Sequence, residues 1–309
     1  MKTLPTWAEK LNELGAKHTP CFFTINYQGT QGHVFPLTDL PESVRFSFSE
    51  KTAPTEAPIT IEKHPVPYEV FEKSFQKVHT HLEKGNTELI NLTLATEISP
   101  VSLEEVYQKA KAKYKILCKD EWVCFSPEIF VKIEDNHIKT YPMKGTISAT
   151  LPDAEALLLN NPKEIDEHKK VVALLSMDLA QVASDIHVSR FRYVDVIEKS
   201  TGDLLQTSSE IIGTLPDNWQ AQLGTLLSKL LPAGSICGAP RESTMKVIAE
   251  AETYDRGFYT GIAGVFDGKT LDTCVLIRFI EHIGEKFYYK SGAGITVQSK
   301  PESEYKEIL

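Results

Sequence analysis

Apolar residues recur at helical spacing in some stretches and alternate with polar ones in others, and these two periods divide the chain into elements. Phe71, Phe75, Val78 and Leu82 predict an amphipathic helix ended by Gly85-Asn86. Trp7, Leu11 and Leu14 predict an earlier one, opened by a capping box of Thr6 with Glu9 and stopped at Gly15. Ser102 with Glu105 opens a third, expected to reach about Tyr114. The longest helical pattern spans 162–184, with Ile165, Val171, Val172, Leu175, Leu179 and Val182 on its apolar side. Further helices are expected over 219–230, from near Pro240, and after Pro301. Alternation predicts strands over 21–27, 88–96, 186–199 and 204–215, a β-rich block over 122–141, and four short strands between Phe258 and Val297. In 88–96, Leu89, Asn91 and Thr93 share one face, and Ile90, Leu92 and Leu94 the other. Residues 50–67, rich in Pro and Thr, read as a loop rather than a domain linker. With no solenoid repeat and no strict β-α-β alternation, the pattern predicts an α+β fold or a complex α/β sandwich.

Composition narrows the function classes. The chain has 309 residues, 41% of them hydrophobic, enough for one large domain or two small ones. A net charge of −9 with no basic block argues against nucleic acid or an acidic membrane as partner, though not against a small anionic substrate. Five scattered cysteines form no C-x-x-C pair, so neither zinc nor a redox centre is indicated and a reducing cytosol is the expected compartment. The start lacks an apolar signal core, and no apolar run approaches the ~20 residues that span a bilayer.

The stretch with the most chemical content is Tyr141-Pro142-Met143-Lys144-Gly145-Thr146. Pro142 fixes its own φ and biases Tyr141 to an extended conformation, so a strand enters a turn, and Gly145 lets the backbone bend behind the lysine. By itself Lys144 reads as a solvated turn residue. Held partly out of water, it would be drawn toward the neutral amine that nucleophilic chemistry requires. Glu128 opens a strand pattern and alone reads as an edge acid. Glu304 and Glu307 lie three apart on one helix, and Glu167 stands near the start of another, where its charge suits the helix dipole. Arg278 sits in a very apolar strand pattern, where a charge needs a partner. Gly292-Ala293-Gly294 lacks the third glycine of a dinucleotide fingerprint and reads as a turn. His79 and His81, two apart on a helix, face different ways, and His168 reads as a polar helix residue.

The run at 142–146 resembles the P-x-K-G-T of chorismate-utilising enzymes, within them the aminodeoxychorismate synthase large subunits (component I of p-aminobenzoate synthesis). Anthranilate synthases usually place alanine where Lys144 stands. Ser126-Pro127-Glu128-Ile129-Phe130 is similar to the family's S-P-E-x-F, at the matching interval. Ordered blocks continue through 204–213, 232–241, Ile277-Arg278, 291–295 and Glu304-Tyr305-Lys306-Glu307. Gly234-Ser235-Ile236-Cys237-Gly238-Ala239-Pro240 looks like G-S-x-T-G-A-P with cysteine for threonine. The motif-bearing core is 121–309, the first 120 residues matching loosely.

The resemblance implies one chorismate-binding catalytic domain over 1–309, with two large antiparallel sheets face to face, helices outside and the site in the cleft. It implies Lys144 as nucleophile and Glu128 as general acid on the C4 hydroxyl of chorismate. Arg278 would grip the enolpyruvyl carboxylate, and Gly292, Ala293 and Gly294 would offer backbone N–H groups to a carboxylate. Thr146, Gly238 and Ala239 would line the substrate. Glu167 and Glu307, with Glu304 directly or through water, would hold Mg²⁺. Ammonia would come from a separate glutamine amidotransferase subunit, because no Cys/His constellation for glutamine hydrolysis is evident.

Some positions depart from the family. Relatives often show Asp, Arg and Asn at Ala173, Ser176 and Met177, a histidine at Gln206, and a lysine at a position past Leu309. No L-L-E-S run is found, so tryptophan feedback is not expected. Anthranilate synthesis, or a non-catalytic homologue acting as a binding partner, are the competing readings.

Overall fold

A computed structural model of the chain describes residues 3–48, 59–197 and 202–309. Its elements, in order, begin with α1 (Thr6–Ala16), β1 (Cys21–Ile25), β2 (Gly32–Pro36), β3 (Val44–Phe48), β4 (Lys63–His64) and α2 (Tyr68–Glu83). Next come β5 (Leu89–Ile98), α3 (Leu103–Lys109), β6 (Tyr114–Cys118), β7 (Trp122–Ser126), β8 (Ile129–Glu134), β9 (His137–Thr140) and β10 (Met143–Ser148). The middle holds α4 (Ala154–Asn160), α5 (Pro162–Leu179), β11 (Ser184–Ile197), β12 (Leu204–Thr214), α6 (Leu223–Leu230), α7 (Gly234–Cys237) and β13 (Gly238–Ala239). The last are α8 (Arg241–Ala251), β14 (Ile262–Phe266), β15 (Leu271–Val275), β16 (Phe279–Ile283), β17 (Lys286–Ile295) and α9 (Pro301–Ile308).

The strands form two large antiparallel sheets. In the first, β8 lies between β9 and β15, β14 and β1 follow to an edge at β2, and β12 pairs β9, β10 and β11. The second runs β13-β5-β17-β16-β7-β6-β3, with β4 also on β5. Phe22, Ala263 and Cys274 of the first sheet meet Ile116, Cys124 and Phe279 of the second in one buried cluster, so the sheets face each other. α1, α5 and α6 pack on the first sheet, and α2 and α8 on the second, where Ile90, Leu92, Leu94, Ala293 and Ile295 face them. This is the expected mixed α/β architecture of two antiparallel sheets with helices.

Local differences have tertiary causes. α1 begins after Pro5, and Thr6 is helical rather than a cap. Gly15 does not stop it: a Cβ there would lie 1.9 Å from Gln220 O, so this glycine permits a close approach of backbone. Ser102 does cap α3, its Oγ 3.2 Å from Glu105 N, but the helix ends at Lys109 because Tyr114 is claimed by the core as the first residue of β6. The long helix expected over 162–184 forms as α5 but ends at Leu179, and α4 before it is a separate short helix. Residues 50–58 of the expected loop and 198–199 of the expected strand lie outside the described residues.

Candidate active site

The chain passes between the sheets twice at one place. β7 of the second sheet leads through Pro127-Glu128 into β8 of the first, and β15 of the first leads through 276–278 into β16 of the second. The crossings are tied: Val275 N donates to Glu128 O (3.1 Å) and Phe125 N to Arg278 O (3.1 Å). Arg278 therefore does not lie inside a strand, as its apolar neighbours had indicated. It forms the corner, at φ 58°, with its side chain exposed and in no ion pair among the described residues.

Glu128 turns into the cleft. Its Oε1 accepts from Ser235 Oγ at 2.8 Å, which ties it to α7. Burial pushes its carboxyl above the usual range, against the Ser235 hydrogen bond and the Lys144 charge, which both pull it down. A carboxyl biased toward its protonated form can donate a proton.

Lys144 is half-buried on β10, at a β-bulge where Lys144 opposes Thr207 and Thr146 opposes Gln206. Gly145 takes φ 77° to make the bulge, a conformation that favours glycine. A Cβ on it would also come within 2.9 Å of Glu164 Oε2. The backbone is clamped by Thr207, whose Oγ1 donates to Lys144 O, and by Ser209 N donating to Pro142 O at 3.0 Å. Across the cleft, Lys144 Nζ stands 3.7 Å from the position a Cβ on Gly294 would take. Leu89 Cδ1 stands at the same 3.7 Å. Thr146 is exposed beyond the bulge, its Oγ1 3.4 Å from Gln206 Nε2.

Gly292-Ala293-Gly294 is not a turn. It is the end of β17, paired with Thr93, Leu92 and Asn91 of β5. The pleat explains the composition: Ala293 faces the buried helix side, while a Cβ on Gly292 would be 2.7 Å from Thr93 Cγ2. β16 pairs only Lys286–Lys290, so among the described residues no strand covers that edge from Ser291 onward, beside the Arg278 corner. Gly238 and Ala239 form β13 on Ile90 and Leu89, and a Cβ on Gly238 would strike Leu89 O at 1.9 Å.

The acids expected to hold a metal are spread over two helices. Glu167 on α5 and Glu304 on α9 are half-buried, and Glu307 is exposed. Ser291 Oγ donates to Ile308 O at 3.0 Å and anchors α9 beside the glycines. Among the described residues no group of three or more His, Cys, Asp or Glu is gathered closely enough to hold an ion, so the expected three-acid set is not assembled. Mg²⁺ characteristically binds one or two carboxylates and completes its shell with water and substrate oxygens. The hard oxygen chemistry of these side chains suits that mode.

Sequence reasoning missed three side chains here. Ser235 lies in a loop it did quote, and Glu164 in the first turn of α5. His168, read as an ordinary helix residue, is fully buried with Nε2 2.7 Å from Ser209 Oγ. Burial, with the Arg192 and Lys144 charges, holds its ring neutral down to about 4. An apolar-periodic helix with one histidine gives no signal of such a contact.

A family model described as chorismate binding enzyme matches residues 34–309, and the chain belongs to that family. It is 48% identical to an uncharacterized PabA-like protein of Haemophilus influenzae, over 99% of this chain and 95% of that one. Aminodeoxychorismate synthase component 1 of Bacillus subtilis is 30% identical, over 88% of this chain and 58% of that protein. Anthranilate synthase component 1 1 of Haloarcula marismortui is 32% identical, over 78% and 51% respectively. The chain thus spans little more than half the length of these two synthases. A solved structure described as a 2,3-dihydroxybenzoate-specific isochorismate synthase from Bacillus anthracis shares the fold, with a TM-score of 0.70 at 22% identity, over 97% of this chain and 86% of that one.

Proposed function

We propose that this chain is the catalytic component of an aminodeoxychorismate synthase, converting chorismate and ammonia to 4-amino-4-deoxychorismate and water. The observation that carries the reading is Lys144 Nζ, held by the Gly145 bulge against Gly294 and coupled in charge to a carboxyl that burial biases toward its acid form.

In the first half-reaction the neutral Lys144 amine forms a bond to C2, the ring double bond shifts, and the C4–O bond breaks. Glu128 gives its proton to the departing hydroxyl, which leaves as water, and the resulting carboxylate takes a proton from the new secondary ammonium. In the second, ammonia bonds to C4, the double bond shifts back, and the C2–N bond breaks to release Lys144, which recovers its proton balance through Glu128. The Arg278 guanidinium, in no ion pair among the described residues at the sheet crossing, is suited to a substrate carboxylate. Bound Mg²⁺, with Glu167 and Glu307 as its two carboxylates and Glu304 acting through water, would add positive charge for a carboxylate of the substrate.

Ammonia supply is assigned to a separate glutaminase subunit. Burial raises all five thiols, Cys21 and Cys118 to about 12, which opposes the thiolate that glutamine hydrolysis needs. The test is turnover of the purified chain with chorismate, Mg²⁺ and ammonium, with the product identified. The expected product is 4-amino-4-deoxychorismate; Lys144→Ala should abolish a covalent adduct and most turnover while the fold persists. Anthranilate as product, or wild-type turnover in Lys144→Ala, would overturn the reading.

A further inference from the structure

We infer that His168 is a positioning residue that sets the lysine strand against α5 through Ser209. The inference rests on Lys144 being the reacting amine, and extends it to what holds that amine in place. Ser209 Oγ accepts the backbone N–H of Arg192 at 2.9 Å and lies 2.7 Å from His168 Nε2. Two tautomers are conceivable. If Nε2 carried the proton, both the Ser209 hydroxyl proton and the Nδ1 lone pair would lack partners. If Nε2 is the acceptor, the hydroxyl proton is used and only Nδ1–H, buried without a partner among the described residues, is left. The second arrangement satisfies more groups, so Ser209 donates to His168.

The same serine reaches the lysine strand: its N–H donates to Pro142 O at 3.0 Å, two residues before Lys144. Thr207, two residues along β12, holds Lys144 O. β12 therefore grips β10 at both positions flanking Met143, and His168 grips β12 from α5. Glu164, one helical turn before His168, rests its carboxylate on Gly145. The His168 contact adds a directional bond to the Glu164 carboxylate and the apolar packing through which α5 meets the bulge, and such a bond resists sliding more than packing does. Catalysis is sensitive to such slippage, since a displacement of ~1 Å can cost ~10²-fold in rate.

The experiment uses His168→Leu, which keeps bulk and removes the acceptor, His168→Gln, whose amide can restore a bond to Ser209, and Ser209→Ala, which cuts the link from its other end. Two measurements are made on each. One is the rate at which Lys144 is modified by pyridoxal phosphate and borohydride, read on the isolated peptide by mass spectrometry. The other is kcat and KM for chorismate with ammonium. His168→Leu and Ser209→Ala should change the Lys144 labelling rate by ~3-fold or more and lower kcat by ~10-fold or more, with KM nearly unchanged, and His168→Gln should recover most of both. Wild-type labelling in both disrupting variants would overturn the inference, as would a His168→Gln variant as impaired as His168→Leu. Labelling does not depend on the reaction catalysed, so it decides the inference even if the proposed activity fails.

Discussion

Lys144 and Gly294 belong to opposite sheets and meet across the cleft, with Nζ 3.7 Å from the position of a Cβ on the glycine. That separation is ordinary van der Waals contact, so alanine fits while a branched side chain does not. Gly294→Ala should keep turnover within a few-fold of the parent. Gly294→Val should displace the lysine and occupy substrate space, lowering kcat/KM by ~10²-fold or more with the melting temperature little changed. Equal activity in the two variants would show that Lys144 does not work against this strand.

Glu128 should separate stability from activity. Its carboxyl is raised by burial, so the folded chain holds the proton more tightly than the unfolded chain, whose glutamate titrates near ~4.3. The resulting stabilisation is complete below that value and is lost as pH rises through the folded pKa. Glu128→Gln cannot ionise, so its stability relative to the parent should grow across the same window and then level off. Its turnover should fall by ~10²–10⁴-fold, since the amide donates no proton to a leaving hydroxyl. Thermal unfolding across a pH series, paired with product formation, checks both; a parallel stability profile for the two proteins would place Glu128 in an ordinary solvated setting.

Much of this site was legible in one dimension because periodicity reports burial. Phe71, Phe75, Val78 and Leu82 are all buried on one helix face, and Leu89 and Ile90 fall on opposite faces of β5. Features set by distant backbone were not legible. Gly15 looks like a helix stop, yet it serves an approach to Gln220 that lies some two hundred residues away. Arg278 looks like a strand residue because its neighbours are apolar, and they are apolar because the corner is packed from both sheets. Gly292 and Gly294 look like a turn, whereas their lack of side chains clears a strand surface. His168 becomes special only through Ser209, forty-one residues on. The convergence of Lys144 and Glu128 came from the family resemblance; neither residue's surroundings announce it.

Metal dependence is a separate proposal. Glu167→Gln and Glu307→Gln each remove one ligand charge, so each should raise the Mg²⁺ concentration needed for half-maximal turnover or chorismate binding by ~10-fold. Titrating Mg²⁺ against chorismate binding measures this without relying on turnover. Unaltered Mg²⁺ dependence in both variants would remove these helices from the metal assignment.

The proposed preference for ammonia over water turns on Leu89. Adding water in place of ammonia requires a general base, and the β5 side chain that stands at Gly294 with the Lys144 amine is Leu89. The register of β5 decides which side chain stands there, because a one-residue slip would turn Leu89 to the opposite face. In this structure Ile90 faces α2 and α8, whereas Leu89 Cδ1 and Lys144 Nζ flank Gly294 at equal distance. Leu89 therefore occupies the cleft beside the Lys144 amine, where a base would have to stand to act on water. Leucine neither accepts a proton nor orients a water molecule, and its bulk makes that side of the cleft apolar. Incubation with chorismate and Mg²⁺ but without ammonia should accordingly yield essentially no isochorismate or salicylate. Their rapid accumulation would show that another group in the cleft, Lys144 first among them, activates water in this chain.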